Sequence, residues 1–137
     1  MPKTVDRIFG WLLVLGSGGH TVGTLLWTQP MSGIFIWSLG SSLAAALLGV
    51  LNIVRAGRPQ DKTLAVITAI GTGCWALVAL GFGLSIGNVL DPRPASHFII
   101  AVVLVVFSVI TLRRRTAEEH FDLSDGTISV NTVRGPA

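Results

Sequence analysis

Two histidines, His20 and His97, are the side chains here best suited to chemistry, because an imidazole can donate, accept, ligate a metal or carry a proton near neutral pH. His20 stands in the stretch Gly18-Gly19-His20-Thr21-Val22-Gly23-Thr24. Around it Ser17, His20, Thr21, Thr24 and Thr28 follow one another at helical spacing, so they share one face of a helix. His97 comes shortly after Asp91-Pro92-Arg93-Pro94, a pattern that starts a helix with a capping aspartate and a first-turn proline. Counted along their helices at 1.5 Å per residue, the two rings fall within a few ångströms of the same depth, about 7 to 10 Å from the same end. Imidazoles at one depth on two helices can hold a haem iron, bind a transition metal beside Asp91, or relay protons. The alternative is packing, with His20 donating to a hydroxyl or carbonyl of a neighbouring helix and His97 at the wet end of its own.

Other polar side chains extend this set. A second apolar stretch places Ser38, Ser41, Ser42, Ala45, Gly49 and Asn52 on one face, and a third carries Trp75 near its middle, beside Cys74 and with Thr68 and Thr72 one or two turns away. The indole N–H of Trp75 needs an acceptor when buried, and a serine of the second helix is the expected partner. The candidate ligand-binding residues are therefore His20, Thr21, Thr24, Ser41, Trp75 and His97. No nucleophile with a base and an acid, no P-loop and no glycine-rich dinucleotide fingerprint is present. Cys74 is the single cysteine, which excludes an internal disulfide, a CxxC pair and a cysteine-based zinc site. His120 follows the arginine run Arg113-Arg114-Arg115 and lies on the wrong side to join the other two histidines.

These residues sit in a chain of 137 residues that is 50% hydrophobic and only 12% charged, with a mean hydropathy of +0.69. Soluble domains carry about 25% charged residues, so the composition predicts a membrane protein. Four apolar stretches, about 8–27, 31–54, 63–88 and 92–112, each approach the roughly 20 residues needed to cross a bilayer. The expected fold is all-α: an antiparallel, up-down bundle of four transmembrane helices with short loops, over residues 1–115. The first run has the length of a span rather than a signal core and no A-x-A site follows it, so it reads as a retained helix. Thr28, Gln29 and Pro30 turn the chain between the first two spans. Arg55 to Lys62 forms a polar turn outside the membrane, and no charged residue is expected deep in a span. Residues 116–137 read as a polar tail without order, with a turn signal at Ser124-Asp125-Gly126.

Lys3, Arg7, Arg55, Arg58, Lys62 and Arg113 to Arg115 gather at one side of the four spans and Arg93 alone lies at the other. The positive-inside rule then predicts both termini in the cytoplasm, with Trp27 at the outer boundary and Trp11 near the inner one. The sequence pI near 10.0 reflects these flanking charges, which form no aromatic-interleaved face and exclude a nucleic-acid partner. Glycines 16, 18, 19 and 23 crowd the first helix, and Gly19 with Gly23 makes a small-xxx-small pair suited to close helix approach, to a second copy or to a partner membrane subunit.

On the element Gly18 to Thr24, GGHTVGT, and on the four-span plan, the chain resembles small uncharacterised bacterial four-helix membrane proteins with a similar first-helix element. The resemblance implies a bacterial cytoplasmic (inner) membrane location and a role for His20, and supplies no activity. Charged motifs of four-helix glutathione-transferase-like membrane enzymes are absent, as is the first-helix glutamate of small multidrug exporters. Polar residues without catalytic machinery favour a small binding or accessory membrane protein with an outer-half polar cavity around His20. The alternatives are a redox protein binding haem b through His20 and His97, and a membrane enzyme acting on a lipid or isoprenoid with His20 as general acid or base.

Overall fold

The computed structural model describes residues 3–124, with side chains as far as Arg113. The described chain is a four-helix bundle of α1 (Lys3–Trp27), α2 (Gly33–Gly57), α3 (Lys62–Ser85) and α4 (Pro92–Ser124). Each contains a stretch long and apolar enough to cross a membrane, in α4 the portion Pro92–Arg113. At 1.5 Å per residue, helices of this length exceed the roughly 30 Å of hydrocarbon in a bilayer by a turn or more. The surplus lies at the ends, where the charged residues are.

The helix starts are built locally. Ser32 accepts the Phe35 N–H through its side chain at 3.2 Å, and Asp61 accepts the Leu64 N–H at 2.9 Å. Asp91 accepts the Arg93 N–H at 3.0 Å. Each satisfies a backbone donor that the first helical turn leaves without a partner. Between α1 and α2 the turn places Met31 at φ 61°, and after α3 Gly87 takes φ 70°. A left-handed φ costs glycine nothing, so Gly87 ends the helix where Ile86 cannot turn the chain alone.

These bounds differ from those read in the sequence, for reasons that share one cause. Hydropathy marks where apolar residues stop, whereas a helix stops where its hydrogen-bond ladder does. Thus α1 begins at Lys3 rather than residue 8, α2 continues to Gly57 rather than 54, and α3 ends at Ser85 rather than 88. The fourth helix runs on past residue 112, so residues 116–124, expected to be without order, are helical. Ser124 is the last residue of α4, and the rest of the turn signal, Asp125-Gly126, lies with the remaining tail outside the described residues.

Consecutive helices run antiparallel. α1 packs on α2 and α4, α3 packs on α4 and α2, and α2 and α4 touch across the diagonal. One end of the bundle, the basic end, holds the start of α1 and the α2–α3 turn; the far end holds the other two turns. The pattern of burial is that of a protein in lipid. The surface is apolar, with Trp27 84% and Trp37 80% exposed and Leu15, Leu26, Ile34, Leu77 and Leu84 also outside. Inside are alanines, small hydroxyl residues, an asparagine and an arginine. In water such a surface would associate through its large apolar patches. In a bilayer, small and hydroxyl residues pack the helices while the aliphatic side chains meet acyl chains. The chain is an integral membrane protein.

Close approach of α1 and α2 occurs at Gly10 and Gly49. A Cβ added to Gly49 would lie 2.9 Å from the Gly10 carbonyl oxygen, and one added to Gly10 would lie 3.2 Å from that of Gly49. The sequence pointed instead to Gly19 and Gly23. Gly19 faces open space, and the nearest atoms to Gly23 belong to its own helix, in the Trp27 ring.

Asp91 offers a local test at the far end. Arg93 grips its carboxylate with Nε and Nη2 at 2.9 and 2.8 Å, and these bonds pull the Asp91 pKa down to about 2. A depressed carboxylate stabilises the fold above its unfolded pKa of about 3.9, and the contribution disappears as pH falls through the folded value. Asp91→Asn, which keeps a capping oxygen and loses the charge, should therefore melt slightly below the parent at pH 7. That gap should close between about pH 4 and pH 2, measured by circular dichroism in detergent, and should shrink with added salt because Arg93 is exposed.

Candidate functional site

Polar side chains inside the bundle fall into two groups separated by an apolar layer. Leu13, Ala45 and Leu104 form the layer, with Phe9, Leu48, Trp75 and Ile100 packed against it. Toward the basic end, Arg55 is 1% exposed and Asp6 7% exposed. The Arg55 Nη2 donates to Asp6 Oδ1 at 2.6 Å and to Asn52 Oδ1 at 3.3 Å. Its Nη1 donates to Thr111 Oγ1 at 3.2 Å. Asn52 in turn donates to Thr72 Oγ1 at 2.9 Å, and Thr68 and Ser108 share a hydroxyl bond at 3.1 Å. A single guanidinium thereby connects α1 and α4 directly, and α3 through Asn52.

This network corrects the expectation that no charge is buried in the spans. Arg55 was assigned to the polar turn, but it lies within α2, which continues for two residues beyond it. Its face is that of Ser42, Ala45, Gly49 and Asn52, all buried. Carrying the small-polar periodicity of the second helix one step further, from 52 to 55, and pairing it with the acid at position 6 would have found it.

The second group occupies the far half and contains the predicted residues. On α1 the inward stripe is Asp6, Gly10, Leu13, Ser17 and Thr24, all buried. His20 falls on that stripe by spacing and is nonetheless exposed. The His20 side chain thus lies at the surface of the bundle. The imidazole uses Nδ1 to reach Ser42 Oγ at 2.9 Å. Ser42 also reaches the Ser38 carbonyl at 3.1 Å, and with its proton placed there the His20 Nδ1–H is the donor.

Ser42, not Ser41, meets His20. Ser41 bonds the Trp37 carbonyl of its own helix. Thr21 and Thr24 likewise bond the carbonyls of Ser17 and His20, at 2.9 Å each, a back-bonding that satisfies a hydroxyl in lipid without recruiting a ligand.

His97 is brought against α1. Its Cε1 and Nε2 lie 3.1 and 3.2 Å from where a Gly16 side chain would begin. Gly16 is one turn from His20 on the same helix. On its other side His97 meets Trp75 of α3 in a T-shaped contact, centroids 5.9 Å apart and planes at 71°. Two atoms on these rings, Trp75 Nε1 and His97 Nδ1, are buried without a hydrogen-bond partner among the described residues. The serine expected to receive the indole N–H does not do so.

Of the six candidates, then, Trp75 and His97 touch, His20 reaches Ser42, and Thr21, Thr24 and Ser41 serve their own helices. Among the described residues no three His, Cys, Asp or Glu side chains come together as a metal site, and Asp91 is engaged by Arg93 rather than by His97. The walls beside the His97 ring are occupied by Gly16 and Trp75, which gives a haem macrocycle no specific support. No protein-family model, curated protein or solved structure matches the chain.

Proposed function

We propose that this chain is a small ligand-binding protein of the bacterial cytoplasmic membrane, with both termini cytoplasmic and its site in the outer half, among α1, α3 and α4. One observation carries the reading: Trp75 Nε1 and His97 Nδ1 are buried and unpaired on rings that touch. Buried polar atoms are satisfied in the great majority of cases, and in lipid an unpaired one costs the full desolvation penalty. Two together, in the half of the bundle where His20 is exposed at the apolar surface, are the complement of a polar group brought by something else, and the route for such a ligand is from the bilayer. The ligand carries an apolar body and a small polar head. The same arrangement lacks an activated nucleophile and a general acid–base pair engaged with one another, which favours binding over turnover.

The test is extraction of the purified protein. Organic extraction and mass spectrometry should find an amphiphile enriched with the parent protein over the bulk lipid. It should be lost at least about ten-fold from Trp75→Phe, which deletes one donor and keeps the aromatic shape, consistent with the about 1 to 3 kcal/mol cost of leaving a buried partner unsatisfied. Equal recovery from both, each monodisperse by size-exclusion chromatography, overturns the proposal.

A further inference from the structure

The described acids at the basic end of the bundle are spent on the fold. Asp6 turns inward and is held by Arg55 at 2.6 Å, and Asp61 accepts the Leu64 N–H at the start of α3. The exposed cations of the α1–α2 hairpin are left without an acid. Lys3 and Arg7 stand on the first turns of α1, and Arg58 follows the last residue of α2. All three are exposed, and none has an ion pair among the described residues.

Packing brings them together. Arg7 Nη2 lies 3.3 Å from where a Gly57 side chain would begin, so its guanidinium reaches from α1 to the end of α2 and rests beside the residue that precedes Arg58. Lys3 is four residues before Arg7 on the same helix face, about 6 Å along the axis. Three uncompensated charges therefore share one corner of the bundle, at the end of two spans whose outer surface is apolar. That corner meets the phosphate layer of the bilayer.

An anionic head group is drawn to such a cluster, whereas a zwitterionic one brings its own cation to the same place. The planar fork of a guanidinium matches a phosphate through two parallel N–H bonds, and here Arg7 and Arg58 supply two forks and Lys3 a point charge. A lipid with one phosphodiester offsets one of the three charges. A lipid with two phosphodiesters on one head group offsets two, and its second phosphate arrives at high effective concentration once the first is held. From this cluster we propose that the basic corner of the α1–α2 hairpin binds a diphosphatidyl lipid, its phosphates shared among Arg7, Arg58 and Lys3. The site is separate from Trp75 and His97 and stands whether or not those residues hold a ligand.

Native mass spectrometry of the full chain in detergent tests it, with tetraoleoyl cardiolipin, dioleoyl phosphatidylglycerol or dioleoyl phosphatidylcholine added at equal phosphate. Cardiolipin should saturate at one molecule per chain and bind at least about five-fold more tightly than phosphatidylglycerol, and phosphatidylcholine should not saturate. Arg7→Gln and Arg58→Gln should each weaken cardiolipin about five-fold, the factor equivalent to about 1 kcal/mol for a basic residue at an anionic surface. Arg7→Lys, which keeps the charge and loses the fork, should weaken it less. Arg113→Gln, at the same end but on α4, should leave it unchanged. Equal losses from Arg113→Gln and Arg7→Gln overturn the proposal, because the lipid would then answer only to the summed charge of that end. Equal affinity for the two anionic lipids overturns the two-phosphate head group, and displacement of cardiolipin by inorganic phosphate at matched concentration overturns the lipid as occupant. Unchanged binding in both Arg7→Gln and Arg58→Gln, each monodisperse with the parental circular dichroism, removes the site.

Discussion

Asp6→Ala should destabilise the bundle by about 3 to 5 kcal/mol, the range found when one partner of a buried ion pair is deleted and the other charge stays behind. The size comes less from the bond lost than from what remains. Arg55 is fully buried, with its side chain 0% exposed, and its guanidinium would keep only the neutral oxygens of Asn52 and Thr111. A guanidinium cannot shed its proton to escape, as a lysine would. The alternatives left to it are an uncompensated charge inside the bundle or a rotation of α2 that carries Arg55 to the headgroups and breaks the Asn52–Thr72 bond.

The companion substitution has the opposite expectation. Removing both charges, with Asp6→Leu and Arg55→Met together, should be close to neutral, because apolar replacements of a buried pair often match or exceed its stability. Unfolding in mixed micelles, followed by circular dichroism at rising fractions of denaturing detergent, measures both. An effect of Asp6→Ala below about 1 kcal/mol, the range of solvent-exposed pairs, would mean that water or lipid headgroups reach the pair, and the double variant would then lose its contrast. Salt provides a second check, since a buried pair is screened far less than a surface one.

The pair lies at the opposite end of the bundle from His20 and His97. Arg55 connects α1 to α2 and α4 near the basic end, and the apolar layer of Leu13, Ala45 and Leu104 lies between it and the far half. The far half has weaker ties. His20 to Ser42 is a single bond between α1 and α2, and His97 meets α1 through a glycine. The two ends of the bundle thus differ in how many polar bonds tie their helices together.

What the sequence disclosed, and what it withheld, follows from the period of each signal. The four spans were legible because a run of about 20 apolar residues has few other uses, and His20 and His97 were legible because imidazole in such a run is costly. Their depth along the helices could be counted, but not which side each ring faces, since rise per residue says nothing about rotation. Ser41 and Ser42 differ by 100° around α2, and only the packed structure shows that 42 faces inward and 41 does not. Asp6 and Arg55 were hidden by a different bias. Arg55 was assigned to the polar turn and Asp6 was given no role, although each lies on the inward stripe of its own helix, at the spacings that bury Gly10 and Asn52. The tight crossing at Gly10 and Gly49 was missed for a related reason. The glycine-rich segment from 16 to 23 was the more conspicuous, but a single glycine on each of two facing helices is enough for backbone contact.

Gly49→Ala should therefore cost about 1 to 3 kcal/mol, the range for overpacking a close-packed interior, while Gly19→Ala should be neutral or stabilising by up to about 1 kcal/mol, since alanine is the better helix former. The two substitutions add the same methyl group to helices of similar length, so the intrinsic gain is the same at both sites. Their surroundings are opposite. At Gly49 the new carbon would stand 2.7 Å from Val14 Cγ2, 2.9 Å from the Gly10 carbonyl oxygen and 3.1 Å from the Val14 nitrogen. Two of those three are backbone atoms, so α1 itself must move away, whereas at Gly19 there is nothing within 4 Å. Gly10→Ala should fall between them, because its nearest neighbour at 2.7 Å is the Ile53 side chain, which can rotate before the backbone has to yield. Separating α1 from α2 at this crossing also shifts His20 relative to Ser42, so Gly49→Ala should lengthen or break the bond between them as well as lowering stability. Equal stability of the Gly49 and Gly19 variants in the same micelles would show that the helices do not cross at Gly10 and Gly49.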